Sequence, residues 1–171
     1  MINYTKLLWM VLALSITTYG VKAQAVKLDQ DIAKYFVGSW TGQGEFANGK
    51  NVEAEVTFYL STDSCHLIYV YADKLPNRYK ASGDWSIDGS GKLTAHIINN
   101  FTGLKEYYGK WQNSKLTVSN TDHYKGNISI HQSFVYDKID DDHLKITYLY
   151  GRDSTTLKEG DHLIFTRQKG N

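Results

Sequence analysis

The chain of 171 residues is nearly neutral, with 19 Lys and Arg residues, 18 Asp and Glu residues and a formal net charge of +1. It has no long basic run, so we do not expect it to bind nucleic acid or an anionic membrane surface, and a small molecule or a protein is the expected partner. Its single cysteine excludes an internal disulfide, and the stability of the fold must come from a hydrophobic core.

The first 23 residues have the layout of a secretory signal peptide. A lysine precedes the uncharged run LLWMVLALSITTYGV (7–21), and small residues follow at Ala23 and Ala25. We expect cleavage after Ala23, with Ala25 as the other candidate, because the run is too short for a convincing membrane span. An uncleaved anchor is the alternative. The prediction is an exported protein, periplasmic or extracellular and not inserted in a membrane, whose mature chain is a single domain at 24–171.

After this segment the sequence predicts one short helix followed only by strands. Leu28 to Phe36 carries apolar residues at helical spacing over about two turns. From Val52 to Leu60 apolar and polar residues alternate, as in a strand with one buried and one exposed face. The predicted strands are Ser39–Phe46, Val52–Leu60, Cys65–Tyr71, Tyr79–Ile87, Lys92–Asn99, Leu104–Trp111, Lys115–Asn120, Ile128–Ile139, His143–Tyr150 and His162–Arg167.

Short turn-forming segments separate these strands, among them Asn48-Gly49 and Asn113-Ser114. Short turns force neighbouring strands to run antiparallel. Regular spacing without intervening helices indicates a sandwich or a barrel. We favour an all-β fold, a single antiparallel up-and-down β-barrel of about ten strands with a short N-terminal lead-in helix, because a meander closes most simply on itself and so removes its edges.

The first predicted strand, within FVGSWTGQGEF (36–46), carries little side-chain volume. Trp40, Gly42, Gly44 and Phe46 share one face. Glycine weakens a strand and therefore needs a reason. The glycines could let the strand bend at a barrel corner or leave space inside, and a barrel of about ten strands can enclose a small ligand. We interpret them as room for a ligand, with Trp40 plugging one end.

The same stretch carries a family pattern. Gly38-Ser39-Trp40-Thr41-Gly42-Gln43-Gly44 follows G-x-W-x-G-x-G and resembles the opening strand of the calycin superfamily. Within it the closest resemblance is to the nitrobindin-like heme-binding barrels. VEAEVTF (52–58) resembles their second strand, TGLKEYYG (102–109) their T-G-x-x-E-x-x-G segment, and STTLKEGDHLIFTRQK their Thr-rich loop and closing strand. The resemblance spans about residues 36 to 169.

The resemblance implies a cofactor and two structural contacts. It implies a ten-stranded barrel that binds ferric heme (heme b), with His162 of the closing strand as the iron ligand. It also implies that Arg167 packs against Trp40. Because the family is associated with nitric oxide and peroxynitrite chemistry, a heme-dependent peroxynitrite isomerase is the enzymatic alternative to a simple binding protein.

The residues themselves give less support to chemistry. No Ser, Cys or Lys lies in a nucleophile motif and no phosphate-binding loop is present, so we assign no catalytic residue. His162 could bind iron only if it points inward, together with Ile164 and Thr166. Strand alternation leaves this open, because Leu163 and Phe165 are as apolar as the other face.

We therefore expect a small hydrophobic molecule inside the barrel. Aliphatic residues and tyrosines would form its walls, since Tyr combines an apolar body with a polar tip. The predicted ligand-binding residues are Gly42, Gly44, Val56, Phe58, Tyr69, Trp85 and Tyr148. The alternative is a ligand-free barrel, filled by its own side chains, that acts as a surface interaction module. The sequence also leaves open a homodimer formed through Cys65 or a surface patch.

Overall fold

The computed structural model describes residues 28, 30–88 and 92–169. The elements are α1 (Gln30–Phe36), β1 (Gly38–Phe46), β2 (Asn51–Leu60), β3 (His66–Asp73), β4 (Lys80–Ile87), β5 (Leu93–Asn99), β6 (Gly103–Gln112), β7 (Lys115–Tyr124), β8 (Ile128–Lys138), β9 (His143–Gly151) and β10 (Lys158–Arg167). The predicted signal peptide at 1–23 lies outside the described residues, so cleavage and export remain predictions. In the described ranges no helix is long and apolar enough to cross a membrane.

The strands form a closed antiparallel barrel. Each strand pairs with the next one in the chain, and β10 pairs with β1. The alternation in β2 explains its place in the wall, because Val52, Ala54, Val56 and Phe58 are all buried while the residues between them are exposed. The predicted fold, an up-and-down barrel of ten strands with a short lead-in helix, is confirmed.

Two strands are longer than the sequence pattern predicts. β7 continues to Tyr124 instead of ending at Asn120, and β10 begins at Lys158 instead of His162. In the added segments polar residues, Asp122 and Asp161, occupy the inward positions. The alternation of apolar residues therefore covers only part of each strand, although β7 remains paired with β8, and β10 with β9, over the added segments.

Helix α1 closes one end of the barrel. Phe36, its last residue, is fully buried. The Phe36 ring centroid lies 5.1 Å from that of Trp85 and 5.2 Å from that of Phe58. Trp40 Nε1 donates a hydrogen bond of 2.9 Å to the Phe36 carbonyl oxygen. An aromatic plug therefore fills this end, and a ligand would have to enter from the other one.

Arg167 of β10 contacts both Trp40 of β1 and the backbone at the end of α1. Its Cζ lies 4.0 Å from the centroid of the Trp40 ring, the contact that the resemblance implies. Its guanidinium also donates hydrogen bonds to the carbonyl oxygens of Tyr35 and Val37. One side chain of β10 thus joins β1 to the end of α1.

The glycines of β1 do not leave room for a ligand. A Cβ atom at Gly42 would come within 2.6 Å of the Phe165 ring, and one at Gly44 would lie 1.8 Å from the backbone oxygen of His162. Gly42 therefore accommodates a core ring, and Gly44 permits a close approach of two strand backbones. The interpretation as ligand space is wrong at these positions, because β10 occupies the space beside both glycines.

Candidate ligand-binding cavity

The barrel encloses a cavity of about 420 Å³ on the side away from α1. Small-molecule sites typically have volumes of about 300–1,000 Å³. The β3–β4 and β5–β6 loops border its mouth through Asn77, Arg78, Tyr79, Phe101 and Thr102. Two of these residues form a ring pair: the Tyr79 and Phe101 centroids are 6.0 Å apart, with the planes 8° from parallel. The cavity is therefore a pocket with an aromatic rim.

Aliphatic and aromatic residues form most of the wall, because inward positions of the strands are apolar. The wall residues of this kind are Phe46, Val52, Val56, Phe58, Tyr69, Tyr71, Ala81, Tyr107, Phe134, Tyr136, Ile146, Tyr148 and Leu163. Several rings contact one another, with Phe58 at 5.9 Å from Tyr69 and Phe134 at 5.2 Å from Tyr148 between centroids. A flat or elongated apolar molecule would meet ring faces and edges on both sides.

Gln132 is the central polar group of the wall. Its Oε1 accepts hydrogen bonds from the hydroxyls of Tyr148 at 3.3 Å and Tyr107 at 3.5 Å. Its Nε2 donates to Asp122 Oδ2 at 2.6 Å, and Asp122 is also ion-paired with Lys105. This network fixes the amide and thereby orients two tyrosine hydroxyls beside the cavity.

Two carboxylates lie at the mouth. Asp73 ends β3 and accepts a hydrogen bond of 2.9 Å from the Tyr71 hydroxyl, while Asp161 faces inward from β10. Neither forms an ion pair with another described residue. Burial raises the pKa of Asp161 to about 6, with smaller contributions from the charges of Asp73 and Glu159. Burial also raises the pKa of Asp73.

The predicted ligand-binding residues divide into two groups. Those that line the cavity are Val56, Phe58, Tyr69 and Tyr148. Trp85 is completely buried in the plug, 5.1 Å from Phe36 between ring centroids, and its Nε1 has no hydrogen-bond partner among the described residues. Gly42 and Gly44 contact β10 instead of the cavity. Four of the predicted residues therefore lie together in the cavity wall, whereas the two glycines lie against β10 and outside it.

His162 lies on the outer face of the barrel. Leu163 and Phe165 are buried, so alternation places His162 and Ile164 outside, and Ile164 is 47% exposed. His162 Nδ1 is 2.6 Å from Glu159 Oε1. No histidine lines the cavity among the described residues, nor do three or more His, Cys, Asp or Glu side chains there group into a metal site. The residues present do not fit a heme held inside by His162, and heme binding stays a prediction.

The polar groups of the cavity were missed by the sequence analysis. Asp73 follows Tyr69 and Tyr71 at alternate positions, and Asp161 precedes Leu163 in the same way. Alternation alone could have placed both carboxylates on the inner face. Gln132 gave a similar signal, two residues before Phe134. A polar residue two positions from an inward-facing apolar residue was thus the sequence signal for a polar group inside the cavity.

Comparisons with known proteins support the fold. The crystal structure of Rv2717c from M. tuberculosis is similar with a TM-score of 0.57 and 13% identity, covering 81% of this chain and 96% of that one. A de novo designed fluorescence-activating β-barrel matches with a TM-score of 0.46 and 12% identity over 81% and 98% of the two chains. The barrel EF1p2_mFAP2b, bound to DFHBI, matches at 0.45 and 12% over 80% and 96%. No family model matches, and no curated protein is similar in sequence.

The similarity to Rv2717c supports the class of fold. Rv2717c is covered almost completely, so the likeness includes its whole barrel. At this identity it concerns the architecture and carries no function with it. The protein is a closed antiparallel β-barrel with a cavity at one end.

Proposed function

We propose that the protein binds one small, mostly apolar molecule inside its barrel. The observation that carries this proposal is the cavity of about 420 Å³, closed at one end and walled by rings and aliphatic side chains. A barrel that acted only through its surface would be expected to fill this space with its own side chains. Water beside the apolar part of the wall gains few hydrogen bonds, so an apolar ligand would displace it favourably there, at roughly 25 cal/mol per Å² of apolar surface removed from water.

Binding would proceed by burial and orientation. The ligand would enter past Tyr79 and Phe101, and its apolar body would lie between the rings of Phe58 and Phe134. Hydroxyls of the wall tyrosines would then fix its orientation. Export to the periplasm or the extracellular space belongs to this proposal, on the strength of the signal-peptide pattern.

Heme remains a candidate ligand through the sequence resemblance alone. The outward position of His162 and its contact with Glu159 favour another molecule. A peroxynitrite isomerase would depend on the same heme and is therefore tested with it. Titration with ferric heme, followed by the Soret band in the wild type and in His162→Ala, decides this question. A saturable one-to-one shift that the substitution abolishes would restore the heme proposal.

The cavity itself is tested with a neutral fluorescent probe, N-phenylnaphthylamine. We expect saturable binding of one molecule per chain. Ala81 lines the cavity, and Ala81→Phe should fill part of it and weaken binding by about tenfold or more. Ala72→Phe, on the outer face of the adjacent β3, is the matched control and should leave the affinity unchanged. Unsaturable binding, or equal effects of both substitutions, would contradict the proposed function.

A further inference from the structure

The mouth of the cavity carries negative charge that no neighbouring cation neutralises through an ion pair among the described residues. Lys74, next to Asp73 in the chain, pairs with Glu55 through an Nζ–Oε1 distance of 3.2 Å. Lys105 forms an ion pair with Asp122. Arg78 also lines the mouth, but its guanidinium forms no ion pair with a described residue.

The position of the two carboxylates makes this charge significant. Asp73 and Asp161 reach the same open end from β3 and β10, and both line the cavity. A carboxylate removed from water is costly unless it is paired or hydrogen-bonded. The Tyr71 hydroxyl donates one hydrogen bond to Asp73, and the backbone amides of Tyr79 and Tyr148 contribute one each to Asp73 and Asp161. Each carboxylate still has acceptor positions available to a bound molecule.

A second, independent feature lies deeper in the cavity. Tyr69 is 5% exposed and Tyr136 is 4% exposed, and both line the cavity. Neither hydroxyl forms a hydrogen bond with any described residue, whereas those of Tyr71, Tyr107 and Tyr148 do. Two tyrosine side chains that are more than nine-tenths buried thus line the cavity with hydroxyls that are free to bond a polar group of its occupant.

We propose that the ligand is an amine with an aromatic or otherwise apolar body, whose ammonium group lies between the carboxylates of Asp73 and Asp161 at the mouth. This inference rests on the proposed function and specifies its ligand class. The body occupies the ring-lined space, where an acceptor on it receives a hydrogen bond from Tyr69 or Tyr136. The rings of Tyr79 and Phe101 at the rim add a favourable environment for a cation.

Three probes with the same ring and different head groups test the inference: naphthylmethylamine, naphthylmethanol and naphthylacetate. Isothermal titration at pH 7.5 and low ionic strength measures each affinity. The amine should bind about tenfold more tightly than the alcohol, because its ammonium group adds a charge–charge attraction to the hydrogen bond that either head group can donate to the carboxylates. The anion should bind most weakly. Asp161→Asn should reduce the preference for the amine to about twofold or less, because only Asp73 keeps a negative charge there, and it should weaken the amine by a larger factor than the alcohol.

Glu45→Gln is the matched control. It removes the same charge from the outer face of β1, where Glu45 is paired in register with His162. It should change no affinity by more than about twofold, since an exposed charge is screened. A cooperative urea transition, together with binding of one N-phenylnaphthylamine per chain, shows that the Asp161→Asn variant is folded with its cavity intact.

The outcomes separate this inference from the proposed function. If the alcohol binds and the amine binds no more tightly, the amine inference is overturned while the binding function stands. The same holds if the anion binds best, or if Glu45→Gln acts like Asp161→Asn. If no probe binds, including N-phenylnaphthylamine, both are overturned.

Discussion

Asp161 and His162 are neighbours in the chain, yet they face opposite sides of the barrel wall. Asp161 lines the cavity, whereas His162 lies outside with its Nδ1 2.6 Å from Glu159 Oε1. Successive residues of a regularly paired strand alternate in this way, and β10 is regularly paired from Asp161 onward. The group that β10 presents to a ligand near the mouth is consequently a carboxylate and not an imidazole.

The pKa of Asp161 predicts how stability depends on pH. In the folded protein this pKa is about 6, above the ordinary value of 3.8, so the charged form is disfavoured by folding. The contribution to stability is therefore complete below pH 4 and is lost as pH rises through 6, by at most about 3 kcal/mol. Asp161→Asn should raise Tm by several degrees at pH 8 and have little effect at pH 4. An equal gain at both pH values would contradict this.

The affinity for the amine probe should depend on pH in the opposite direction. Ionised Asp161 is the form that attracts an ammonium group, so binding should strengthen by about tenfold between pH 5 and pH 7.5. Titratable or charged groups around Asp161 are Tyr71, Asp73, Arg78, Tyr79, Tyr148, Glu159 and His162. Titration calorimetry over this range checks the prediction. The dependence should largely disappear in Asp161→Asn, and its persistence there would assign it to another group.

The contacts of Arg167 predict a role in stability. Arg167→Met removes the hydrogen bonds to Tyr35 and Val37 and the charge above Trp40, and should lower the free energy of unfolding by about 1–3 kcal/mol. Urea unfolding measures this. Arg152→Met, in the exposed β9–β10 loop, is the control and should have almost no effect. The prediction is contradicted if the two variants are equally stable.

The two glycines of β1 should respond differently to the same substitution. Gly42→Ala meets a side chain, the Phe165 ring, whereas Gly44→Ala meets the backbone of β10. Phe165→Leu should therefore recover part of the stability lost in Gly42→Ala, with a coupling energy on the order of 1 kcal/mol. It should not rescue Gly44→Ala. Urea unfolding of the single and double variants checks this, and additive effects in both pairs would argue against it.

The sequence predicts the architecture well because alternation and turns are local signals. Val52 to Phe58 shows its buried face without knowledge of any partner strand, and the short turns determine that neighbours are antiparallel. The ends of β7 and β10 were less predictable. There the inward-facing residues are polar, Asp122 and Asp161, so the alternation of apolar and polar residues no longer indicates a strand near the proposed binding site.

The pairing register of β1 with β10 bears on the prediction that His162 faces into the barrel, which came from the family resemblance. Trp40 was expected inside the barrel with Arg167 packed on it, and the structure pairs these residues directly. Arg167 and His162 are an odd number of positions apart on an uninterrupted part of β10, so both cannot face the same side. The two expectations were therefore incompatible, and the register of β1 with β10 would have decided between them.

Because the aromatic plug fills one end of the barrel, the cavity has a single opening. Phe36, Trp85 and Trp40 block the far end, so a bound molecule leaves by the route through which it arrived. Tyr79 and Phe101 lie beside that single route. A substitution at either ring should therefore change the rates of both entry and release, in addition to any effect on the affinity for a cationic head group.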